Sequence, residues 1–232
     1  MSAPHHPRPA PSRPAAVLFD CDGVLADSEG IVDRLISAEM TERGWALTPA
    51  QSGRTFLGLS LPDMVPLIEA RTGPLPPGWL DDFTRRVTQT MAREVPPMPG
   101  AEALLRRLRQ AGLPLALASN SSREELRVKL EKLGFAWAFE GRVFSFQDVE
   151  RPKPWPDIYR AAAAACGARP EDCAVIEDSV VGVRAGAAAG CRVLAFAGHG
   201  APEALLAAGA RETVGRLEEL PARLGLLAEA GR

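Results

Sequence analysis

Four short apolar runs lie along the chain, and each ends abruptly at polar residues or in a glycine-rich loop. Continuous apolar runs of this length are typical of strands that are buried on both faces, as in a parallel sheet covered by helices. The four runs are residues 15–19, 113–118, 173–176 and 192–196. They predict at least four strands of one buried sheet.

Amphipathic helical patterns separate these runs. The patterns cover residues 100–111, 122–133, 156–166 and 179–189. Strands that alternate with helices of this length indicate an α/β fold, in which the crossover connections are right-handed. Within the last pattern Gly182 and Gly186 share one helix face, which predicts close packing of that helix on the sheet.

The stretch from residue 28 to residue 97 has a different pattern. It contains helical periodicity at 31–44, 61–72 and 79–94, without a convincing buried strand, and prolines cluster at its exit. We therefore expect a helical lobe at 28–97, inserted into a core formed by residues 14–27 and 98–232. Residues 1–13 contain four prolines and no hydrophobic period, which predicts a disordered tail.

Composition limits the classes of function. The chain has 232 residues, 46% of them apolar, and a formal net charge of -2. This size suits one large domain, or a core with a smaller lobe. The charge gives no basic surface, so we expect no nucleic-acid partner. No apolar run is long enough for a membrane span, so we expect no membrane partner.

The cysteines and the first residues bear on the compartment. The four cysteines form neither a C-x-x-C pair nor a zinc-binding spacing, which is typical of reduced thiols inside a cell. No apolar secretory segment precedes the first predicted strand. We expect a cytoplasmic protein that is a monomer or a weak homo-oligomer.

Polar residues follow three of the predicted strands. In open parallel sheets, ligands bind outside the carboxyl ends of the strands. Four carboxylates at one such edge repel one another and favour a hard divalent cation, and Mg²⁺ fits best where a phosphate shares its coordination. The residues at these ends are Asp20, Asp22, Ser119, Asn120, Glu177 and Asp178.

Lysine is scarce, so each lysine is informative. Lys153 lies between two prolines in a stiff loop, which favours a functional role for its charge. Lys129 and Lys132 lie in a helical pattern in which Glu125 precedes Lys129 by four residues, and we expect a solvated helix face for both. Ser122 and Glu125 form a capping box at the start of that helix, whose free amides favour an anion such as phosphate.

These groups suit phosphoryl transfer. Asp20 is placed to attack phosphorus and form an aspartyl-phosphate, which divides one hard displacement into two easier steps. Asp22, two residues later, is placed to protonate the leaving oxygen and then to activate water. Lys153, the metal and backbone donors would stabilise the charge on the transferring group.

Four motifs in register resemble those of the haloacid dehalogenase-like (HAD) phosphatases. They begin at Asp20, Ser119, Lys153 and Glu177, and the resemblance extends over about residues 14–197. It implies a Rossmann-like parallel sheet with helices on both faces and a helical cap between the first and second motifs. In such enzymes the cap closes over the site and supplies selectivity.

The resemblance also implies a role for each motif residue. Asp20 would be the nucleophile and a metal ligand, and Asp22 the acid/base that also binds metal through its backbone carbonyl. Asp178 would be a further ligand, with Glu177 as a weaker or water-mediated contact. Phosphate would be held by Ser119, by the amide of Asn120 and by Lys153.

The predicted function is a Mg²⁺-dependent phosphatase acting on a small phosphorylated metabolite, namely a sugar phosphate or a sugar-acid phosphate. Residues 56–65 resemble the cap of 6-phosphogluconate phosphatases, and Arg54 and Ser60 are candidate cap contacts to substrate. The core also resembles β-phosphoglucomutases. A histidine and an arginine of those mutases are replaced here by Val32 and Leu61, which favours hydrolysis. A non-catalytic phosphate-binding regulatory protein is a second alternative, although every catalytic position is filled.

Overall fold

The computed structural model describes residues 13–56, 59, 61–198 and 201–226. Its six strands form one sheet in the order β3-β2-β1-β4-β5-β6, and every neighbouring pair is parallel. The strands are β1 Ala16–Phe19, β2 Leu115–Ser119, β3 Val143–Ser145, β4 Cys173–Glu177, β5 Arg192–Phe196 and β6 Glu212–Val214.

Helices of very different length connect the strands. Seven of them follow the predicted helical patterns to within two residues at each end. The helices are α1 Glu29–Glu42, α2 Pro49–Thr55, α3 Leu61–Thr72, α4 Trp79–Glu94, α5 Ala101–Gln110, α6 Arg123–Leu133, α7 Ala136–Phe139, α8 Asp157–Ala165, α9 Val180–Ala189, α10 Pro202–Ala207 and α11 Leu220–Arg223.

Alternate residues of the central strands face two hydrophobic clusters. On one side Phe19, Leu117 and Ile176 pack with residues of α5 and α6. On the other side Leu18 and Val175 pack with residues of α8 and α9. Burial on both faces explains why these strands are continuously apolar. The predicted Rossmann-like α/β sheet with helices on both faces is confirmed.

The two edge strands were not predicted. β3 and β6 have three residues each, and only the last residue of each is buried. Such segments show neither a continuous apolar run nor an alternation long enough to detect. Helix α2 was also missed, although Thr48 and Gln51 form the capping box that starts it.

Helices α1 to α4 lie between β1 and α5 in the chain, and two adjacent backbone segments connect them to the sheet. Ala26 pairs with Pro97 in an antiparallel bridge. The amide of Asp27 donates to the carbonyl of Pro96 at 3.0 Å, and the amide of Met98 donates to the carbonyl of Leu25 at 2.9 Å. α4 also packs against α6. The division into a core and a cap at 28–97 stays a prediction.

Two further expectations concern the ends of the chain and membranes. Apart from Arg13, the predicted tail at 1–13 lies outside the described residues. Within the described part of the chain, no helix combines the length and the apolar character that crossing a membrane requires.

Candidate active site

Asp20 follows β1 directly and lies at the carboxyl edge of the sheet. Its amide donates to the carbonyl of Ile176 in β4 at 3.0 Å, and the residue is buried, with 7% of its surface exposed. Since β1 lies between β2 and β4, this position is flanked by the ends of both strands. The strand order therefore brings the predicted nucleophile next to Ser119 and Glu177.

Lys153 connects two of the carboxylates. Its Nζ lies 2.5 Å from Oδ1 of Asp20 and 2.6 Å from Oε1 of Glu177, and the residue is buried. The Asn120 side chain holds the loop in place, since its amide donates to the carbonyl of Lys153 and its oxygen accepts from the Lys153 amide. A buried ammonium group thus lies beside the predicted nucleophile, where charge develops in phosphoryl transfer.

Glu177 is fully buried, and both of its carboxylate oxygens accept hydrogen bonds. Oε1 accepts from the hydroxyl of Tyr159 at 2.9 Å as well as from Lys153. Oε2 accepts from the amides of Asp178 and Ser179 and from the Ser179 hydroxyl. These bonds fix the Glu177 carboxylate, which in turn positions Lys153.

Two glycines make room for the carboxylates. A Cβ at Gly23 would lie 1.8 Å from Oδ2 of Asp178, and Gly23 has φ of 72°. A Cβ at Gly182 would lie 1.6 Å from Oε1 of Glu177. Gly186 lies in the same way against Val193 and Val175. The close packing predicted for Gly182 and Gly186 is confirmed.

The acidic residues at the strand ends form a group suited to a metal ion. One carboxylate oxygen from each of Asp20, Glu177 and Asp178 lies within 4.8 Å of the others. An all-oxygen donor set suits a hard cation such as Mg²⁺ or Ca²⁺. The glycine at position 23 lets the Asp178 carboxylate occupy the space that a Cβ would take, within this group. The residues present therefore fit the predicted Mg²⁺.

The pKa values show where negative charge is poorly compensated. Burial and the charges of Glu177 and Asp22 together raise the pKa of Asp20 to about 7, against the opposing charge of Lys153. Burial also raises the pKa of Asp178 well above its ordinary value, as do its carboxylate neighbours. One lysine does not balance this group, so a divalent cation would stabilise the ionised carboxylates.

Asp22 is bound on a different side of the site. Its Oδ1 accepts from the hydroxyl of Ser28 at 2.6 Å, and its Oδ2 accepts from the hydroxyl of Ser121 at 2.8 Å. The Nζ of Lys129 lies 2.6 and 2.8 Å from the two oxygens. Burial alone would raise the pKa of Asp22, but the charge of Lys129 and these hydrogen bonds outweigh it and lower the pKa.

The expectation of a solvated helix face was wrong for Lys129, although Lys132 is exposed. Lys129 is 3% exposed, and Glu125, its expected partner, instead accepts a hydrogen bond from the Ser122 amide in the predicted capping box. The signal was present in the spacing: Lys129 falls among Leu126, Leu130 and Leu133, the apolar stripe of α6.

The other residues predicted for the site, Ser119, Arg54 and Ser60, differ in their surroundings. Ser119 is buried, and its Oγ accepts from the amide of Ser121 at 3.1 Å, at the start of the loop before α6. Arg54 is exposed in the last turn of α2. Ser60 lies outside the described residues. Pattern reasoning missed Ser28, Ser121, Lys129 and Tyr159, because each joins the site through a contact distant in sequence or through a loop.

Three comparisons relate this chain to known proteins. The model of the haloacid dehalogenase-like hydrolase family matches residues 14–190. The chain is 31% identical over 187 residues to 6-phosphogluconate phosphatase of Escherichia coli (strain K12), covering 80% of this chain and 83% of that protein. It is 33% identical over 181 residues to hexitol phosphatase A of the same strain, covering 77% and 81%.

A solved structure is similar over nearly the whole chain. It is a HAD family hydrolase from Deinococcus radiodurans R1 with bound phosphate and sodium. The TM-score is 0.81 at 36% sequence identity, and the match covers 96% of this chain and 100% of that chain.

Proposed function

Since the chain belongs to the haloacid dehalogenase-like hydrolase family, we propose that it is a Mg²⁺-dependent phosphatase of small phosphorylated metabolites. It is a phosphoric monoester hydrolase in this proposal, and Asp20 carries the phosphoryl group between two half-reactions. The observation that carries the proposal is the buried contact of Lys153 with both Asp20 and Glu177, beside Asp178.

In the first half-reaction an Asp20 carboxylate oxygen attacks phosphorus, and the bond between phosphorus and the ester oxygen breaks. Asp22 takes up the proton of the bound phosphate monoester monoanion and passes it to that ester oxygen, which leaves as an alcohol. Lys153 stabilises negative charge on the transferring group, together with the Ser119 hydroxyl and the amide of Asn120.

In the second half-reaction a water molecule attacks the phosphorus of the aspartyl-phosphate. Asp22, now a carboxylate, accepts a proton from that water. The bond between phosphorus and the Asp20 oxygen breaks, which releases inorganic phosphate and restores the Asp20 carboxylate. Asp22 passes this proton to the departing phosphate, so both residues return to their starting carboxylate states.

Mg²⁺ would be held by the side chains of Asp20 and Asp178 and by the backbone carbonyl of Asp22. Glu177 would make a weaker contact, because its oxygens already accept hydrogen bonds from Lys153, Tyr159 and residues 178–179. When bound, the ion supplies positive charge that offsets repulsion between phosphate and carboxylates.

We assign the substrate to the sugar phosphates and sugar-acid phosphates, which the names of the two Escherichia coli relatives support. Arg54 and Ser60 remain candidate contacts from the cap. We also propose that the protein acts in the cytoplasm. Hydrolysis is favoured over mutase chemistry because Val32 and Leu61 are apolar and pack against the hydrophobic core.

Hydrolysis of p-nitrophenyl phosphate tests the proposal. We expect activity with Mg²⁺, loss of activity with a chelator, and recovery when Mg²⁺ is restored. Asp20→Asn removes the nucleophile, and we expect its kcat to fall at least about 1000-fold, as for removal of other catalytic nucleophiles. Equal rates for the wild type and Asp20→Asn would overturn the assignment and would favour a non-catalytic phosphate-binding protein.

A further inference from the structure

The structure contains a second buried lysine next to the proposed acid/base. The side chain of Lys129 is 4% exposed, and its Nζ donates to both oxygens of Asp22 and to the hydroxyl of Ser121. Burying an ammonium group is costly unless it is paired and hydrogen-bonded. Here the three contacts satisfy its three N–H donors.

The two buried lysines divide the carboxylates between them. Lys153 contacts Asp20 and Glu177, whereas Lys129 contacts Asp22. Each cation therefore compensates carboxylate charge on a different side of the site.

The partners of Asp22 come from three separate parts of the fold. Ser28 precedes α1, Ser121 belongs to the loop between β2 and α6, and Lys129 lies on α6 itself. α6 in turn packs against α4, one of the helices of the predicted cap. The orientation of Asp22 is thus fixed by Ser28 of its own loop together with two groups from outside that loop, Ser121 and Lys129.

We propose that Lys129 is the positioning residue for Asp22, holding that carboxylate in the orientation from which it exchanges protons with the leaving group and with water. This inference rests on the proposed phosphatase function. A purely structural role is disfavoured, because a buried ion pair contributes little net stability and an apolar pair would serve as well.

The test uses p-nitrophenyl phosphate and a matched pair of variants on one helix. Lys129→Met removes the buried charge and keeps an unbranched side chain one atom shorter, and Lys132→Met removes an exposed charge three residues away. We expect Lys129→Met to lower kcat roughly 10- to 100-fold, since general acid–base catalysis contributes about 10²–10⁴-fold. Its KM should change less than about threefold, and Lys132→Met should match the wild type.

A double-mutant cycle separates positioning from a general effect on the fold. If Lys129 acts through Asp22, adding Lys129→Met to Asp22→Asn should change kcat less than about twofold, because interacting residues are non-additive. The double variant also removes both charges of the pair, which guards against misfolding. Lys129→Arg keeps the charge and should recover part of the lost kcat.

Three results would overturn the inference. They are an unchanged kcat in Lys129→Met, an equal fall in Lys132→Met, and a full further loss when Lys129→Met is added to Asp22→Asn. The proposed function is judged separately by the wild type and by Asp20→Asn. If the wild type is active, Asp20→Asn is inactive and any one of these three results is obtained, the positioning role of Lys129 is rejected and the proposed function stands.

Discussion

Gly182 illustrates how a single missing side chain sets the geometry of the site. It lies in the first turn of α9, where its amide donates to the hydroxyl of Ser179, the residue that caps the helix. The space that a Cβ would take is filled by the Glu177 carboxylate, which holds Lys153 beside Asp20. Alanine has the higher helix propensity, but the buried Glu177 carboxylate leaves room only for glycine at this position.

Gly182→Ala should therefore lower kcat at least about tenfold, because Glu177 must move and Lys153 with it. Gly30→Ala is the matched control, since Gly30 is an exposed helical glycine with nothing within 4 Å of an added Cβ. It should keep full activity and gain up to about 1 kcal/mol of stability. Rates with p-nitrophenyl phosphate and thermal unfolding check both, and equal kcat values for the two variants would contradict the argument.

At the scale of elements, α6 contributes more to the site than its length indicates. Its first turn is closed by the reciprocal hydrogen bonds of Ser122 and Glu125, and its buried face carries Lys129. The capping box therefore stabilises a helix that positions a group of the proposed acid/base machinery. Edge strands β3 and β6 have no comparable local signal, and the neighbouring strands of the sheet define them.

Ser122→Ala should lower the free energy of unfolding by about 1 kcal/mol, because the amide of Glu125 loses its acceptor. For a chain of this size the melting temperature should fall by roughly 2–4 °C. Glu125→Gln retains an acceptor for the Ser122 amide and serves as the control. Calorimetry measures both; a control that melts as low as Ser122→Ala would show that the capping box is not the cause.

At the scale of the molecule, buried charge also joins the helices that lie outside the sheet. Glu39 in α1 is nearly buried, and its Oε1 accepts from Nε1 of Trp79 at 2.7 Å and from Nε of Arg43 at 2.8 Å. Arg86 in α4 donates to Oε2. Burial alone would raise the pKa of Glu39, but the hydrogen bonds from Arg86, Trp79 and Arg43 outweigh it and lower the pKa.

Glu39→Gln should destabilise the protein by about 1.5–3 kcal/mol at neutral pH, the range for hydrogen bonds to charged groups. Because the folded-state pKa of Glu39 lies below its ordinary value of 4.5, the carboxylate contributes fully above that pH. Its contribution is lost as the pH falls through the lowered folded-state value, so the two proteins should converge in stability there.

Denaturant unfolding at a series of pH values measures this difference. Glu102→Gln is the control, because the ion pair of Glu102 with Arg106 is exposed and contributes little. A gap between the wild type and Glu39→Gln that widens on acidification would contradict the predicted sign.

The sequence by itself determined the four central strands of the sheet, most of the helices and the positions of the acidic residues at the strand ends. Apolar runs and helical periods are local properties, and the carboxyl ends of parallel strands meet at one edge whatever the details of packing. The roles of Asp20, Asp22, Lys153 and Asp178 came from motif spacing, and they remain predictions for the experiments above.

Only the tertiary structure decided which charges meet. Lys129 and Asp22 are separated by 107 positions in the chain, and Lys153 and Asp20 by 133. No local pattern encodes such contacts, because they depend on the packing of α6 and of the Lys153 loop against the end of β1. The cost of burying a charge explains why each of these lysines is paired in the folded protein.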